Sequence, residues 1–179
     1  MRGARSLVNI IDALNLKVGT TISWLSFSLV MLVVFDVIMR YLFKKSFVAV
    51  QETEWHIFAV YFLIGGGYTL LKDSHVRVDI FYQKMSARLK AWIDLLGVLF
   101  FLLPGCYLVI KTSSKFAWTS WMVREASADP GGLPGRYLLK AVVAVAFVLI
   151  ALQGVSMGLK NLLLLLGGPL PETQNKGGH

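Results

Sequence analysis

An all-α integral membrane protein is the fold class this sequence predicts, and two observations carry the prediction. The first is composition. Of 179 residues, 56% are hydrophobic and 16% charged, with a mean hydropathy of +0.64. A soluble domain carries about 25% charged residues, and this much apolar surface exceeds what one small globule can bury. The second is arrangement. Four apolar blocks lie at about 20–39, 55–71, 91–110 and 137–159, each near the ~20 residues that cross a ~30 Å hydrocarbon core. The blocks do not alternate apolar and polar residues, which excludes a barrel. Low hydrophobicity is the mark of disorder, so disorder is excluded too. A single cysteine, Cys106, leaves no disulfide framework and no Cys-based zinc site.

The elements follow in chain order within one membrane domain, residues 1–179. Residues 1–18 read as an interfacial arm: Leu7, Ile10, Ile11, Leu14 and Val18 recur at helical spacing, with Arg5, Asn9, Asp12 and Lys17 on other faces. The first span carries one charge, Asp36. The second is short and uncharged. A second amphipathic stripe, Phe81, Met85, Leu89 and Trp92, leads along the interface into the third span. That span contains Pro104-Gly105, a pair that permits a kink because proline removes a backbone donor. Trp118 and Trp121 follow on one helical face, as an aromatic belt or as a helix continuing past the membrane. Residues 129–135, Asp-Pro-Gly-Gly-Leu-Pro-Gly, are a strong turn signal before the fourth span. Residues 160–179 form a C-terminal tail.

The net charge of +8 would suggest nucleic acid in a soluble protein. Here Lys and Arg are spread between apolar blocks, as in membrane loops, so no nucleic acid is expected. With four spans both termini share one side. That side collects ten Lys and Arg against eight on the other, a weak bias toward cytoplasmic N- and C-termini.

Candidate functional residues are few. Asp36 and Arg40 lie four apart on one helix face. A charge in a span is a functional candidate by default, but its pairing with Arg40 favours a structural or partner-facing ion pair over a proton relay. Glu52 and Glu54 open the second span, where a helix N-terminus favours carboxylates. Contact with a partner subunit is the competing role. Gly65, Gly66 and Gly67, and the Gly154/Gly158 pair, permit close helix approach in lipid. His75, Arg77 and Asp79 alternate along an extended segment, where anchoring a loop-to-helix joint outweighs metal or acid–base work. His56 has no evident partner. The absence of a P-loop, HExxH and GxSxG leaves no sign of an ATPase, a zinc protease or a serine hydrolase. No two histidines sit in different spans, which disfavours a haem-bearing anchor. No cofactor, no metal and no catalytic residue is expected.

The residues also resemble a known family. Asp36-Val-Ile-Met-Arg-Tyr-Leu-Phe43 closes the first span. Glu52-x-Glu54-Trp55 opens the second, which continues as Tyr61-Phe-Leu-Ile-Gly-Gly-Gly-Tyr68. His75-Val-Arg-Val-Asp-Ile80, Gly132-Leu-Pro134 and Gln153-Gly154 complete the pattern. Over roughly residues 15–160 the chain is similar to the small membrane subunit (DctQ-type, Q subunit) of tripartite ATP-independent periplasmic (TRAP) transporters.

The resemblance implies a bacterial inner-membrane scaffold subunit of a sodium-driven transporter for organic acids, of the C4-dicarboxylate or sialic acid type. It implies two partners besides lipid: a larger, separate membrane subunit that holds the substrate and sodium sites and moves as an elevator, and a periplasmic substrate-binding protein. Asp36, Arg40, Glu52, Glu54, Gly65, Gly66, Gly67, His75, Arg77 and Asp79 would then serve structure or the partner subunit. Trp118, Trp121 and Arg124 would be candidates for contact with the binding protein. The alternative is a self-sufficient, proton-coupled multidrug exporter with Asp36 as its proton carrier.

Overall fold

The structure, a computed structural model, describes residues 2–72 and 85–167. Among these residues it is helical without strands. We label the helices α1 (Arg2–Tyr41), α2 (Val48–Leu71), α3 (Ala87–Gly97), α4 (Leu103–Met122) and α5 (Arg136–Leu165), with one π-helical turn, Val98–Leu102, joining α3 to α4. His75, Arg77, Asp79 and Phe81, and the end of the C-terminal tail from residue 168, lie outside the described residues.

Among the described residues, three helical stretches are long and apolar enough to cross a membrane: Gly3–Tyr41, Ala87–Met122 and Arg136–Leu165. The expected second span is a helix of 24 residues but is not among them. Glu52, Glu54 and His56 in its opening turns and three consecutive glycines lower its hydropathy. The expected arm at residues 1–18 is not a separate helix. It runs without a break into the first span as one helix of 40 residues, because residues 15–22 contain neither proline nor a turn signal. The third expected span extends through the two tryptophans to Met122.

The π turn explains how α3 and α4 form a single rod across Pro104. Proline cannot donate to the carbonyl four residues back, and its ring crowds that carbonyl. Widening the preceding turn relieves the conflict. The Leu103 amide accordingly bonds to the carbonyl of Val98, five residues earlier.

Helix α5 is the hub and touches every other helix, with the α1–α2 hairpin packed on it and the α3–α4 rod along another side. Glycines set the close approaches. A Cβ at Gly154 would strike the Leu102 side chain, and one at Gly158 would sit 3.5 Å from Val98. On α2, a Cβ at Gly66 would lie 3.0 Å from the Ile150 side chain, and one at Gly67 would meet the Asn15 side chain and Leu149. Gly65 points into open space, so the glycine triplet is a contact surface at two of its three positions.

Large apolar side chains remain outside, among them Trp24, Phe27, Val30 and Met31 on α1 and Phe100 and Phe101 on the rod. The residues buried most completely are instead polar or small: Gln153, Asn15 and Ser156, together with Val8. Polar side inward and apolar side outward is the distribution that lipid selects, since a buried polar group needs a partner and hydrocarbon supplies none.

Candidate functional site: two polar knots

The buried polar side chains gather at the two ends of the bundle. On α1 the markers are Asp12 and Asp36, 24 residues apart, or about 36 Å at ~1.5 Å rise per residue. On α5 they are Arg136 and Lys160, also 24 apart. This separation slightly exceeds a ~30 Å hydrocarbon core.

The first knot joins the N-terminal half of α1 to the C-terminal half of α5. The Lys160 ammonium donates to Asp12 Oδ2 at 2.5 Å, and the Ser156 hydroxyl to Asp12 Oδ1 at 2.6 Å. Gln153 Nε2 donates to Asp12 Oδ1 at 3.1 Å, and its Oε1 accepts from Asn15 Nδ2 at 3.0 Å. Positions 153, 156 and 160 repeat at helical spacing on α5, and 12 and 15 on α1, so two short stripes meet face to face. Asn15 Oδ1 takes no hydrogen bond and rests against Gly67.

The second knot ties the start of α2 to the α4–α5 loop. Glu52 is almost fully buried. One of its oxygens accepts from the Ser127 hydroxyl and from Arg136 Nη2 at 3.3 Å; the other accepts from the Leu133 amide at 2.5 Å. Beside it, Glu125 accepts from the Ser120 hydroxyl at 2.6 Å and from the Lys140 ammonium. These bonds, that of Lys140 foremost, hold the Glu125 carboxyl below its ordinary range. Lys140 also stands 3.9 Å above the Phe116 ring. The loop closes on itself through Ser127 N–H to Leu133 O and Arg136 N–H to Glu125 O, at 3.0 and 3.1 Å. Gly132 is required here, since a Cβ would lie 2.8 Å from Glu52 Oε2.

The remaining sequence candidates are placed as follows. Arg40 pairs with Asp36 one turn away, with Asp36 buried and Arg40 half exposed. Glu54 lies close enough to both for their charges to act on its carboxyl. Asp36 Oδ1 and Glu54 Oε1 are buried without hydrogen-bond partners. His56 Nδ1 meets the Glu52 carbonyl oxygen at 2.5 Å, within one helical turn. Trp118 and Trp121 are exposed at the end of α4, and Trp121 packs edge-on against Tyr137, ring centroids 4.7 Å apart. Trp121 and Arg124 line one cavity with Pro134, Gly135 and Tyr137; Trp118 does not. No group of three or more His, Cys, Asp or Glu able to hold a metal occurs among the described residues.

Sequence reasoning singled out Glu52 but missed Ser127, Arg136, Glu125 and Lys140, and it missed the first knot as a unit. The local signal for that knot was Asp12 and Asn15 three apart on one face of α1, with Gln153, Ser156 and Lys160 at matching spacing on α5.

No curated protein and no solved structure matches this chain. A family model does: the DctQ component of the tripartite ATP-independent periplasmic transporters matches residues 29–163. That match begins within α1 and takes in the second knot whole, Glu52 to Lys140, together with the α5 half of the first. The chain belongs to the DctQ family and is a small membrane component of a TRAP transporter.

Proposed function

We propose that this subunit braces the large, moving membrane subunit of a sodium-driven TRAP transporter for organic acids. The observation that carries the reading is the use of polar side chains. In the two knots they bind helix to helix at both ends of the bundle: Asp12 to Lys160 and Ser156, Glu52 to Arg136 and the loop. Side chains committed to one another fix a shape; they do not bind and release a solute. A rigid body with an apolar outer surface is what an elevator needs as a stationary neighbour, because one domain travels through the bilayer while another must resist tilting.

In this reading α2 is a fourth span. Its 24 residues extend about 36 Å at ~1.5 Å per residue, and it packs on both α1 and α5. A helix that leans on two neighbours needs less lipid-facing apolar surface than its composition alone would demand. The termini then share the cytoplasmic face of the bacterial inner membrane, and the Glu52 knot faces the periplasm. The substrate and sodium sites belong to the large subunit, to which a periplasmic binding protein delivers substrate.

The exporter alternative finds no support: the chain belongs to another transporter family, and Asp36 is bonded to Arg40.

The test is reconstitution. Proteoliposomes with the large subunit, the binding protein and a sodium gradient should take up organic acid when this chain is present and lose uptake when it is omitted. Liposomes holding this chain alone should move none. Uptake by the chain alone, or full uptake without it, would reject the bracing role.

A further inference from the structure

We propose that the cavity between the end of α4 and the start of α5 holds the phosphate of a membrane phospholipid. The cavity is about 250 Å³ and is lined by Trp121, Arg124, Pro134, Gly135 and Tyr137. Three features of its surroundings choose the ligand.

Charge is the first. Of the cations at this end, Arg136 is bonded to Glu52 and Lys140 to Glu125, whereas the Arg124 side chain is exposed and bonded to no described residue. Arg124 occupies left-handed backbone at φ 47°, pinned by its amide to the Trp121 carbonyl at 3.0 Å. Its guanidinium is thus an uncompensated cation beside the cavity, and guanidinium groups match phosphate in shape and charge. Helix α5 adds to this, because it starts just after Gly135, which lines the cavity and offers no side-chain cap, so the positive end of its dipole borders the same space.

Depth is the second feature. Trp121 and Tyr137 form the edge-on pair described above, and such amphipathic rings collect at head-group level. The third is the set of exposed apolar side chains in the turns next to the lining residues. Trp118, Met122 and Val123 on the α4 side and Leu138 on α5 are all exposed. A soluble anion has no use for these side chains, while an acyl chain covers them. The inference requires only that this end of the bundle lie at a membrane interface, and it does not depend on the bracing role.

The experiment is native mass spectrometry of the full, delipidated chain in detergent, titrated with phosphatidylglycerol, with diacylglycerol of the same acyl chains, and with inorganic phosphate as competitor. Wild type should bind phosphatidylglycerol about tenfold more tightly than diacylglycerol, and Arg124→Gln should lose about that factor. Arg124→Lys should retain most of the affinity, and Lys115→Gln, which alters a cation elsewhere on α4, should retain all of it. Inorganic phosphate should not displace the lipid. Equal binding of lipid by wild type and Arg124→Gln would overturn the proposal, as would equal binding of the two lipids. Displacement by inorganic phosphate would also overturn it, in favour of a soluble-anion site. If Arg124→Gln kept its lipid but lost the periplasmic binding protein, the surface would belong to that protein instead.

Discussion

Lys160 on α5 and Asp12 on α1 form an ion pair at 2.5 Å, 148 residues apart in sequence, with both side chains largely buried. Ser156 and Gln153 fill the other positions around the Asp12 carboxylate, so the charge is both paired and hydrogen-bonded. Breaking a buried pair from one side is costly because the remaining charge stays behind. Lys160→Met should therefore destabilise the bundle by about 3–5 kcal/mol. Asp12→Asn/Lys160→Met should recover much of that loss, since no charge is left unpaired. Denaturant unfolding in mixed micelles measures both variants. Equal stability of Lys160→Met and wild type would show that the pair contributes nothing.

Glu52 organises the α4–α5 loop by accepting from the Leu133 amide, Ser127 and Arg136. Glu52→Gln keeps the size, loses the charge and places a donor where only acceptors fit. The loop between Val123 and Gly135 should then open locally while the helices persist. Hydrogen exchange at the Leu133 amide should accelerate about tenfold or more, with little change in α1 or α5. Unchanged exchange at Leu133 would mean that the loop holds itself without Glu52.

Much of this architecture was legible in the sequence because long apolar runs are local signals. The blocks near 20–39, 91–110 and 137–159 all fall within the three helices long and apolar enough to span a membrane. The polar interior was less legible. Leu7, Ile10, Ile11, Leu14 and Val18 read as one apolar stripe of an interfacial arm, with Asp12 on another face. In the structure Leu7, Ile10 and Leu14 are exposed, while Ile11 is buried together with Asp12 and Asn15. The rule that apolar residues turn inward holds in water. In lipid the outward solvent is itself apolar, and polar groups turn inward to find one another. The partners of Asp12 lie 141 to 148 residues away, so no local window contains both halves of the knot. Glu52 was visible as a helix-end acid, but its loop partners lie 75 to 84 residues on.

The pH dependence should expose the Glu125 knot. Glu125 titrates below its ordinary range in the folded chain, because Lys140 and Ser120 bond its ionised form. At intermediate pH the unfolded chain therefore binds more protons than the folded one, and stability falls as pH falls. The contribution of Glu125 is complete above the usual carboxylate range of about 4 and is lost as pH drops through the lowered folded value. Thermal midpoints of wild type should decline over that acidic window, and those of Glu125→Gln should decline less steeply. Parallel profiles would exclude Glu125 as a source of acid sensitivity.

Gly65 and Gly67 separate helix propensity from packing at two positions on one helix. A Cβ at residue 65 meets nothing within 4 Å, whereas at residue 67 it would collide with the Asn15 side chain and lie 3.4 Å from Leu149. Asn15 cannot yield cheaply, because it is buried and bonded to Gln153. Gly67→Ala should therefore cost about 1–3 kcal/mol through overpacking and loosen the Asn15–Gln153 bond. Gly65→Ala should be neutral or stabilising by up to about 1 kcal/mol, since alanine is the better helix former. Unfolding of the two variants side by side decides the matter. Similar effects from both would mean that α2 does not meet α1 and α5 through Gly67.

Asp36 provides the sharpest functional contrast. Its carboxylate is buried and bonded to Arg40 one turn away, and its second oxygen has no hydrogen-bond partner. Asp36→Asn keeps an oxygen for Arg40 and removes the capacity to carry a proton. If the residue holds the α1 end in shape, that variant should assemble with the large subunit and sustain uptake at close to the wild-type rate. Asp36→Leu, which strands Arg40 beside α2, should impair assembly and lower uptake in proportion to the complex lost. A proton carrier behaves differently: Asn and Leu would be equally inactive in complexes that assemble normally. Uptake measured per assembled complex separates the two, because a structural role changes the amount of complex and a proton-carrying role changes the turnover of each one.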